Sequence, residues 1–187
     1  MNQMKKIRGH EMEYREFIGY HGTNNNVAKQ IIRTNFINNG RVGWLGSGIY
    51  FFEEDFNLAN TWAIARHNGK IPKVIRVEIK VPEREIFDTA DDRDSKKFFH
   101  EFRKRFLVDQ LSGRKRKINV DSQEDLDGKI YNAIAKAKGY KLIRAETYTY
   151  TKADREFGFS GSRVPNGIEL CIKHIPYIEV KNYAEAK

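Results

Sequence analysis

Two short segments of the chain combine residue types that suit the binding of a flat polar ligand. The first, His-Gly-Thr at residues 21–23, ends a strand predicted over residues 17–23, and the second, Gly-Ser-Gly-Ile-Tyr-Phe at residues 46–51, leads into another strand. Glycine lets a backbone amide or carbonyl approach a ligand closely. The Tyr50 ring offers a flat stacking face, and the His21 imidazole offers a hydrogen bond with a fixed direction. The pattern therefore predicts a binding site between the two segments.

A carboxylate on a late strand is the third candidate. Residues 168–173 (IELCIK) alternate apolar and polar side chains, which is the period of a strand with one buried face, and Glu169 belongs to the polar set. The strand alone supports two interpretations equally. Glu169 is either a functional acid or an ordinary carboxylate on the polar face of an edge strand.

Taken in order, the three segments resemble the diphtheria-toxin and poly(ADP-ribose)-polymerase class of ADP-ribosyltransferases. That class carries a His, a Tyr and a Glu on three different strands, and His21, Tyr50 and Glu169 match them in the same order, between about residue 17 and about residue 180. The resemblance implies an α+β fold, with an ADP-ribosyltransferase-like mixed, mainly antiparallel split sheet and flanking helices. It also implies that NAD is the substrate.

The resemblance implies a role for each matched residue. His21 would hold a hydroxyl of the adenosine ribose, the Gly22 backbone would hold the nicotinamide carboxamide, and the Tyr50 ring would stack on nicotinamide. Breaking the bond between nicotinamide and ribose builds positive charge on the sugar, and Glu169, bonded to the 2′-hydroxyl, would stabilise that charge. The implied catalytic residues are Glu169, His21 and Tyr50, and the implied NAD-contacting residues are His21, Gly22, Thr23, Gly48, Tyr50 and Trp62.

The sequence departs from the family pattern at two places, which affect the expected nicotinamide contacts and the expected branch of the family. A Ser and a second stacking Tyr usually follow on the next helix, whereas this chain has Leu58 and Thr61 or Trp62 there. Trp62 supplies the second stacking face if the helix is shifted by one residue. Gly167 stands where the arginine-modifying branch has the first Glu of its pair, so that branch is disfavoured. One carboxylate suffices for nicotinamide departure, and Glu169 is the only one that we expect to be placed for it.

Periodicity and capping residues predict the elements that carry these side chains. We expect helices after an Asn-rich cap near residue 25, from an Asp55 N-cap, within the Phe-lined segment 93–117, and from a Ser122 cap to Lys138 with Gly139 as its stop. We expect strands over residues 49–52, 73–81, 140–149, 168–172 and 177–180. The inward residues expected on the last helix are Leu126, Ile130, Ala133, Ile134 and Ala137.

Positive charge is concentrated in one part of the chain. The formal net charge is +9, and residues 93–117 carry ten Lys and Arg against three Asp and Glu, which leaves +7 there. A basic run and a later loop that mixes aromatic and basic residues predict a surface for nucleic acid. The expected acceptor contacts are Arg155, Phe157, Phe159, Arg163, Arg114, Lys115, Arg116 and Lys117. A solvated surface turn and a solvated loop are the alternatives.

The resemblance extends to small bacterial transferases of toxin–antitoxin and phage-defence modules, some of which modify nucleobases, among them a toxin that modifies messenger RNA. We therefore expect mono-ADP-ribosylation of a nucleic-acid acceptor, RNA or single-stranded DNA, with an antitoxin protein as a further partner. Three alternatives stay open: a protein acceptor, an RNA 2′-phosphotransferase whose Arg/His phosphate-binding set we cannot place here, and a basic RNA-binding module on an inactive transferase fold.

Bulk properties exclude several other classes. A chain of 187 residues with 40% hydrophobic and 32% charged residues is expected to form a single catalytic domain over residues 1–187. The sequence has no apolar run of the ~20 residues that a membrane helix needs and no apolar signal-peptide core, so we expect a cytoplasmic protein without a membrane partner. Its five His and the single Cys171, expected to be a buried thiol, show no metal-ligand spacing. No P-loop or Rossmann motif is present.

Overall fold

The computed structural model describes residues 12–66, 70–113, 118–150, 152–158 and 162–184. Five predicted nucleic-acid contacts, Phe159 and residues 114–117 of the basic run, lie outside these ranges. Of Arg155 only the backbone is described. Within the described residues no helix is both long enough and apolar enough to cross a membrane.

A seven-stranded sheet forms the centre of the molecule. The strands are β1 (Tyr14–Asn24), β2 (Val42–Gly43), β3 (Gly46–Ser47), β4 (Ile49–Glu53), β5 (Pro72–Pro82), β6 (Ile86–Asp88), β7 (Leu142–Thr147), β8 (Gly167–Ile172) and β9 (Ile178–Ala184). The sheet order is β6-β7-β8-β4-β1-β5-β9, and β2 pairs with β3 as a separate hairpin. Neighbours are antiparallel except β6 and β7, which are parallel. The predicted α+β architecture with a mixed, mainly antiparallel sheet is confirmed.

Helices cover both faces of the sheet. They are α1 (Asn25–Arg33), α2 (Phe56–Arg66), α3 (Arg93–Leu111), α4 (Gln123–Lys138) and α5 (Lys152–Phe157). Because side chains alternate along a strand, Ile75 of β5 packs in the cluster that contains α1, and its neighbour Val74 packs in the cluster that contains α2. A further cluster joins α3 and α4 to β6, β7 and β8.

Several local expectations are confirmed. The side chain of Asn24 caps α1, the Asp55 carboxylate accepts a hydrogen bond from Leu58 N at 2.8 Å, and Ser122 caps α4. Gly139 ends α4 with a positive φ of 81°, a conformation in which a side chain would be strained. The buried residues of β5 keep the predicted alternation, and Cys171 is a fully buried thiol.

Other boundaries and faces differ from the expectations. β1 is longer than predicted, the strand expected over residues 140–149 is confined to Leu142–Thr147, and the last strand extends to Ala184 instead of ending at 180. The glycine-rich segment contains the β2–β3 hairpin, and the expected loop over residues 151–167 contains α5. On α4, Ile130 and Ile134 are buried as predicted, but Ala137 is exposed and Ala135 is buried instead, so the buried face is rotated relative to the predicted one.

A buried arginine joins three strands. The Arg144 guanidinium on β7 donates to the Glu53 carboxylate at the end of β4 at 2.6 Å and to both Asp88 oxygens on β6 at 3.0 and 3.1 Å. Arg15 of β1 donates to the same Asp88 at 2.8 Å. This network was not predicted, because it depends on the strand order. It fixes β4, β6 and β7 relative to one another.

Candidate active site

The sheet opens between β1 and β4. These strands pair at Gly19 with Glu53 and at Tyr20 with Phe52, and no further pairs are formed beyond Tyr20. At this point the His21 Nδ1 lies 2.8 Å from the backbone oxygen of Tyr50. Since a carbonyl oxygen only accepts hydrogen bonds, Nδ1 is the donor, and the imidazole bridges the two separating strands. His21 and Tyr50, from the first two sequence motifs, therefore contact each other where the pairing of β1 with β4 ends.

A cavity of about 820 Å³ occupies this opening. Six of the candidate residues line it: His21, Gly22, Gly48, Tyr50, Trp62 and Glu169. They come from β1, β4, α2 and β8 and, for Gly48, from the position between β3 and β4. Thr23 does not line it and is buried. The structure thus brings the three residues of the sequence pattern to one cavity, although they are up to 148 positions apart along the chain.

Glu169 lies inside the sheet and not on an edge strand. Its strand pairs with β4 on one side and β7 on the other, where Phe52 and Ala145 are its register partners. Burial raises the pKa of the Glu169 carboxyl to about 7, a hydrogen bond from Thr147 acts in the opposite direction, and the charge of Glu124 raises the pKa further. Both the acid and the carboxylate are therefore populated near neutral pH.

The Tyr50 hydroxyl binds the hairpin. It donates to Gly46 O at 2.6 Å and accepts from Leu45 N at 2.9 Å. Burial raises the pKa of this phenol far above its ordinary value. The hydroxyl is therefore neutral, and its donor and one acceptor site are used by hydrogen bonds to the hairpin.

Lys173 and Asn132 hold the same hairpin from the other side. Lys173 Nζ donates to Leu45 O at 3.2 Å, to Ser47 O at 3.1 Å and to Asn132 Oδ1 at 2.9 Å. Asn132 Oδ1 also accepts from Ser47 N at 2.9 Å. Burial lowers the pKa of Lys173. The signal that could have identified Lys173 is its place in the same alternating polar set as Glu169.

Two glycines are required by packing. A Cβ at Gly22 would overlap the backbone oxygen of Ala59 in α2, and a Cβ at Gly48 would lie 2.7 Å from Ile172 O in β8. The glycine identities therefore allow a helix and a strand to pack closely against these positions. This packing is a structural reason for both residues beside the ligand-binding reason expected from the sequence.

Of Leu58, Thr61 and Trp62, the three candidates on the helix that follows Tyr50, Trp62 lines the cavity and the other two do not. Leu58 is buried and packs where a Cβ at Gly167 would be. Trp62 is 37% exposed and lines the cavity, and Trp44 of the hairpin, which is 47% exposed, lines it as well. Both tryptophans of the chain are therefore at this cavity.

The predicted acceptor loop contributes less to the cavity than expected. Phe157 is 78% exposed and Arg163 is exposed, but neither lines the cavity. Lining residues that the sequence analysis missed include Arg41, Arg66, Glu124, Thr147, Tyr148 and Tyr150. The Tyr148 and Tyr150 rings pack edge to face with their centroids 5.8 Å apart. These residues were missed because they are brought to the cavity by the folding of separate elements.

Comparisons with known proteins give little further information. An uncharacterized protein of Methanocaldococcus jannaschii is 34% identical to this chain over 83 residues, which are 41% of this chain and 39% of that protein. No family model matches the chain, and no solved structure matches it. In the described residues there is no group of three or more His, Cys, Asp or Glu that could hold a metal ion. The site is therefore defined by its own geometry: a His, a Tyr and a Glu from three strands that line one cavity.

Proposed function

We propose that the protein is an NAD-dependent mono-ADP-ribosyltransferase with an ADP-ribosyltransferase-like fold, which acts in the cytoplasm. The observation that carries the proposal is that His21, Tyr50 and Glu169, from β1, β4 and β8, line one cavity of about 820 Å³ where β1 and β4 separate. That volume lies within the range of roughly 300–1,000 Å³ that is typical of small-molecule sites.

The chemistry of the lining suits NAD as the substrate. Arg41 and Arg66 line the cavity and are suited to the two negative charges of the diphosphate. The aromatic faces of Tyr50 and Trp62 are suited to the nicotinamide ring. The His21 imidazole, whose Nδ1 is held by Tyr50 O, is fixed in orientation for a ribose hydroxyl.

Glu169 is the residue that we propose for catalysis. When the bond between the ribose C1′ and the nicotinamide nitrogen breaks, both bonding electrons leave with nicotinamide, which becomes neutral, and the positive charge moves to the ribose. A carboxylate already held beside the sugar stabilises that charge without reorganising. The Thr147 hydroxyl, by favouring the charged form of Glu169, supports this role.

We propose a nucleic-acid acceptor, with RNA favoured. The net charge of +9 favours a polyanion, and Tyr148 and Tyr150 at the cavity can stack on an unpaired base. Arg155, Phe157, Phe159, Arg163 and the run 114–117 remain proposed contacts for the rest of the nucleic acid. The further proposal is that the protein is a toxin or anti-phage effector that is neutralised by an antitoxin protein.

The deciding experiment incubates the protein with NAD labelled in its adenylate part, together with total cellular RNA, single-stranded DNA or lysate protein. We expect released nicotinamide and label in RNA. Label in protein alone would replace the nucleic-acid acceptor by a protein one. RNA binding without nicotinamide release would favour the inactive binding module.

The matched variants are Glu169→Gln and Glu146→Gln. Glu169→Gln should lower nicotinamide release by about 10²–10³-fold, because one preorganised electrostatic contact is lost. Glu146 lies on the neighbouring strand, is exposed, and forms a surface ion pair with Lys96, so its Gln variant should retain activity. Equal activities of the two variants would remove Glu169 from the mechanism.

Two further measurements test the biological part of the proposal. Charge reversal across residues 114–117 should weaken RNA binding and reduce its salt dependence. Expression of the wild-type chain in bacteria should stop growth, whereas Glu169→Gln should be tolerated. Growth arrest by both forms would contradict a toxin that acts through ADP-ribosylation.

A further inference from the structure

A second carboxylate reaches the cavity from a different element. Glu124 lies in the first turn of α4, is exposed, and lines the same cavity as Glu169. Its charge acts on the Glu169 carboxyl and raises the pKa of that group. A single carboxylate was expected at the site, whereas two carboxylates line the cavity.

The environments of the two carboxylates differ. Glu169 lies within the sheet, where burial disfavours its charge. Glu124 is exposed on the turn that follows the Ser122 cap, where the N-terminal end of the helix favours a negative charge. A carboxylate can act as a general base toward a hydroxyl or an amino group. The cavity is therefore lined by two different carboxylates, Glu169 within the sheet and the exposed Glu124 on α4.

Transfer to an acceptor requires two different catalytic contributions from the protein. The ribose must be stabilised as it becomes positive, and the acceptor must lose a proton as it bonds to the sugar. A carboxylate that is hydrogen-bonded to the ribose, as proposed for Glu169, stabilises the positive charge and is not placed to remove the acceptor proton. A general base must reach the acceptor proton from a separate position.

We propose that Glu124 is the general base for the acceptor. This inference rests on the proposed transferase function and extends it to the second half of the reaction. The acceptor is a hydroxyl or amino group of an unpaired nucleotide, whose base stacks on Tyr148 or Tyr150 at the same cavity. As C1′ loses nicotinamide, the acceptor lone pair forms the new bond to C1′. The acceptor proton passes to the Glu124 carboxylate and then to water, so that NAD and the acceptor yield the ADP-ribosylated acceptor, nicotinamide and one proton.

The test separates bond cleavage from transfer. Glu124→Gln is assayed with labelled NAD and total cellular RNA, and both label in RNA and released nicotinamide are measured. Label in RNA should fall by about 10²-fold, in the range for loss of a general base. Nicotinamide release with water as the acceptor should not fall, because removal of the Glu124 charge lowers the pKa of Glu169 and so favours its carboxylate. The KM for NAD should stay near the wild-type value. Equal losses of transfer and nicotinamide release, or no loss of either, would overturn the proposal.

Two control variants exclude a merely structural effect. Asp125→Asn removes a negative charge from the same helical turn, but Asp125 pairs with Lys129 at 2.6 Å and does not line the cavity. If Asp125→Asn lowers the ratio of transfer to nicotinamide release as much as Glu124→Gln does, the effect comes from the helix and the proposal is wrong. Glu124→Asp should restore part of the transfer.

The outcomes also separate this inference from the proposed function. Wild-type protein that releases no nicotinamide would contradict the transferase itself and, with it, the role of Glu124. Wild-type protein that releases nicotinamide but labels neither RNA, single-stranded DNA nor lysate protein would be a hydrolase, and a base for an acceptor would be excluded. If protein alone is labelled, the nucleotide acceptor is excluded.

Discussion

Thr147 and Glu169 are diagonal neighbours on one face of two antiparallel strands, and the Thr147 side chain lowers the pKa of the Glu169 carboxyl. The register places Ala145 opposite Glu169 and Thr147 opposite Gly167. The Thr147 hydroxyl favours the charged form of Glu169, whereas burial and the charge of Glu124 favour the neutral form. The balance leaves the carboxyl with a pKa of about 7, so that a modest change at Thr147 alters its charge at neutral pH.

The first prediction concerns the pH dependence of nicotinamide release. If only the Glu169 carboxylate is active, kcat/KM for NAD should rise with pH and level off above about 7. Thr147→Val keeps the shape of the side chain and removes the donor. The midpoint should then move to higher pH by about one unit, since a hydrogen bond to a charged group is worth roughly 1.5–3 kcal/mol. An unmoved midpoint would show that Thr147 does not tune Glu169.

The second prediction concerns stability. The Glu169 pKa is raised on folding, from 4.5 to about 7, so the folded protein holds a proton that the unfolded chain releases. This contribution to the free energy of unfolding is full below about pH 4.5 and is lost as the pH rises through about 7. Glu169→Gln does not titrate. It should therefore be more stable than wild type at pH 8, by on the order of 1–3 kcal/mol, and nearly equal to it at pH 5.

Urea unfolding of both forms at the two pH values measures this difference. The comparison isolates Glu169 because all other titrating groups are shared. A difference that is the same at pH 5 and pH 8 would show that the pKa of Glu169 is not raised by folding. The greater stability of an inactive variant would also indicate that the carboxylate is kept for function at a cost in stability.

Local features of the chain were predictable, whereas contacts between distant elements were not. The Asp55 and Ser122 caps and the Gly139 stop are set by neighbours within a few residues, and they are observed where expected. The alternation of β5 is equally local. Periodicity gives no strand order. That Glu124 and Glu169 line the same cavity depends on how distant elements pack together, and it could not be predicted from the sequence.

The sequence pattern does not indicate how the candidate site residues are held in the fold. His21, Tyr50 and Glu169 share a cavity as expected from the pattern. The Tyr50 hydroxyl, however, is bound to the hairpin, and Gly22 is required by packing against α2. These second roles arise because a residue at the boundary between core and cavity is contacted from both sides. Thr23 shows the limit of a sequence motif, since it is adjacent to Gly22 but buried away from the cavity.

The third prediction concerns the Tyr50 hydroxyl. Tyr50→Phe keeps the ring and leaves the buried Leu45 N–H without its acceptor, which should lower the free energy of unfolding by about 1–3 kcal/mol. Because the hairpin lines the cavity, its loosening should raise the KM for NAD more than it lowers kcat. Tyr20→Phe is the control, since Tyr20 also lines the cavity but its hydroxyl interacts with Arg76. Equal effects of the two variants on KM would contradict a specific role for the Tyr50 hydroxyl.

The fourth prediction uses the two tryptophans as probes of the cavity. Trp44 and Trp62 are the only tryptophans of the chain and both line the cavity, so its whole tryptophan fluorescence comes from this site. Titration with NAD should change that fluorescence, and the change should be half complete when the free NAD concentration equals the dissociation constant. If Trp62 provides the second stacking face for nicotinamide, Trp62→Phe should remove most of the change and weaken binding. Trp44→Phe, which leaves Trp62 in place, should retain both.

The two single variants serve as each other's control, because each keeps one tryptophan at the same cavity. Nicotinamide alone should reproduce the Trp62 signal, whereas ADP-ribose, which lacks the nicotinamide ring, should not. A signal carried by Trp44 and induced by ADP-ribose would place the adenosine half of the dinucleotide beside the hairpin and would leave Trp62 without a role in stacking. No change with any of the three ligands would contradict NAD binding in this cavity, since a ligand that displaces water from two partly exposed indoles alters their environment.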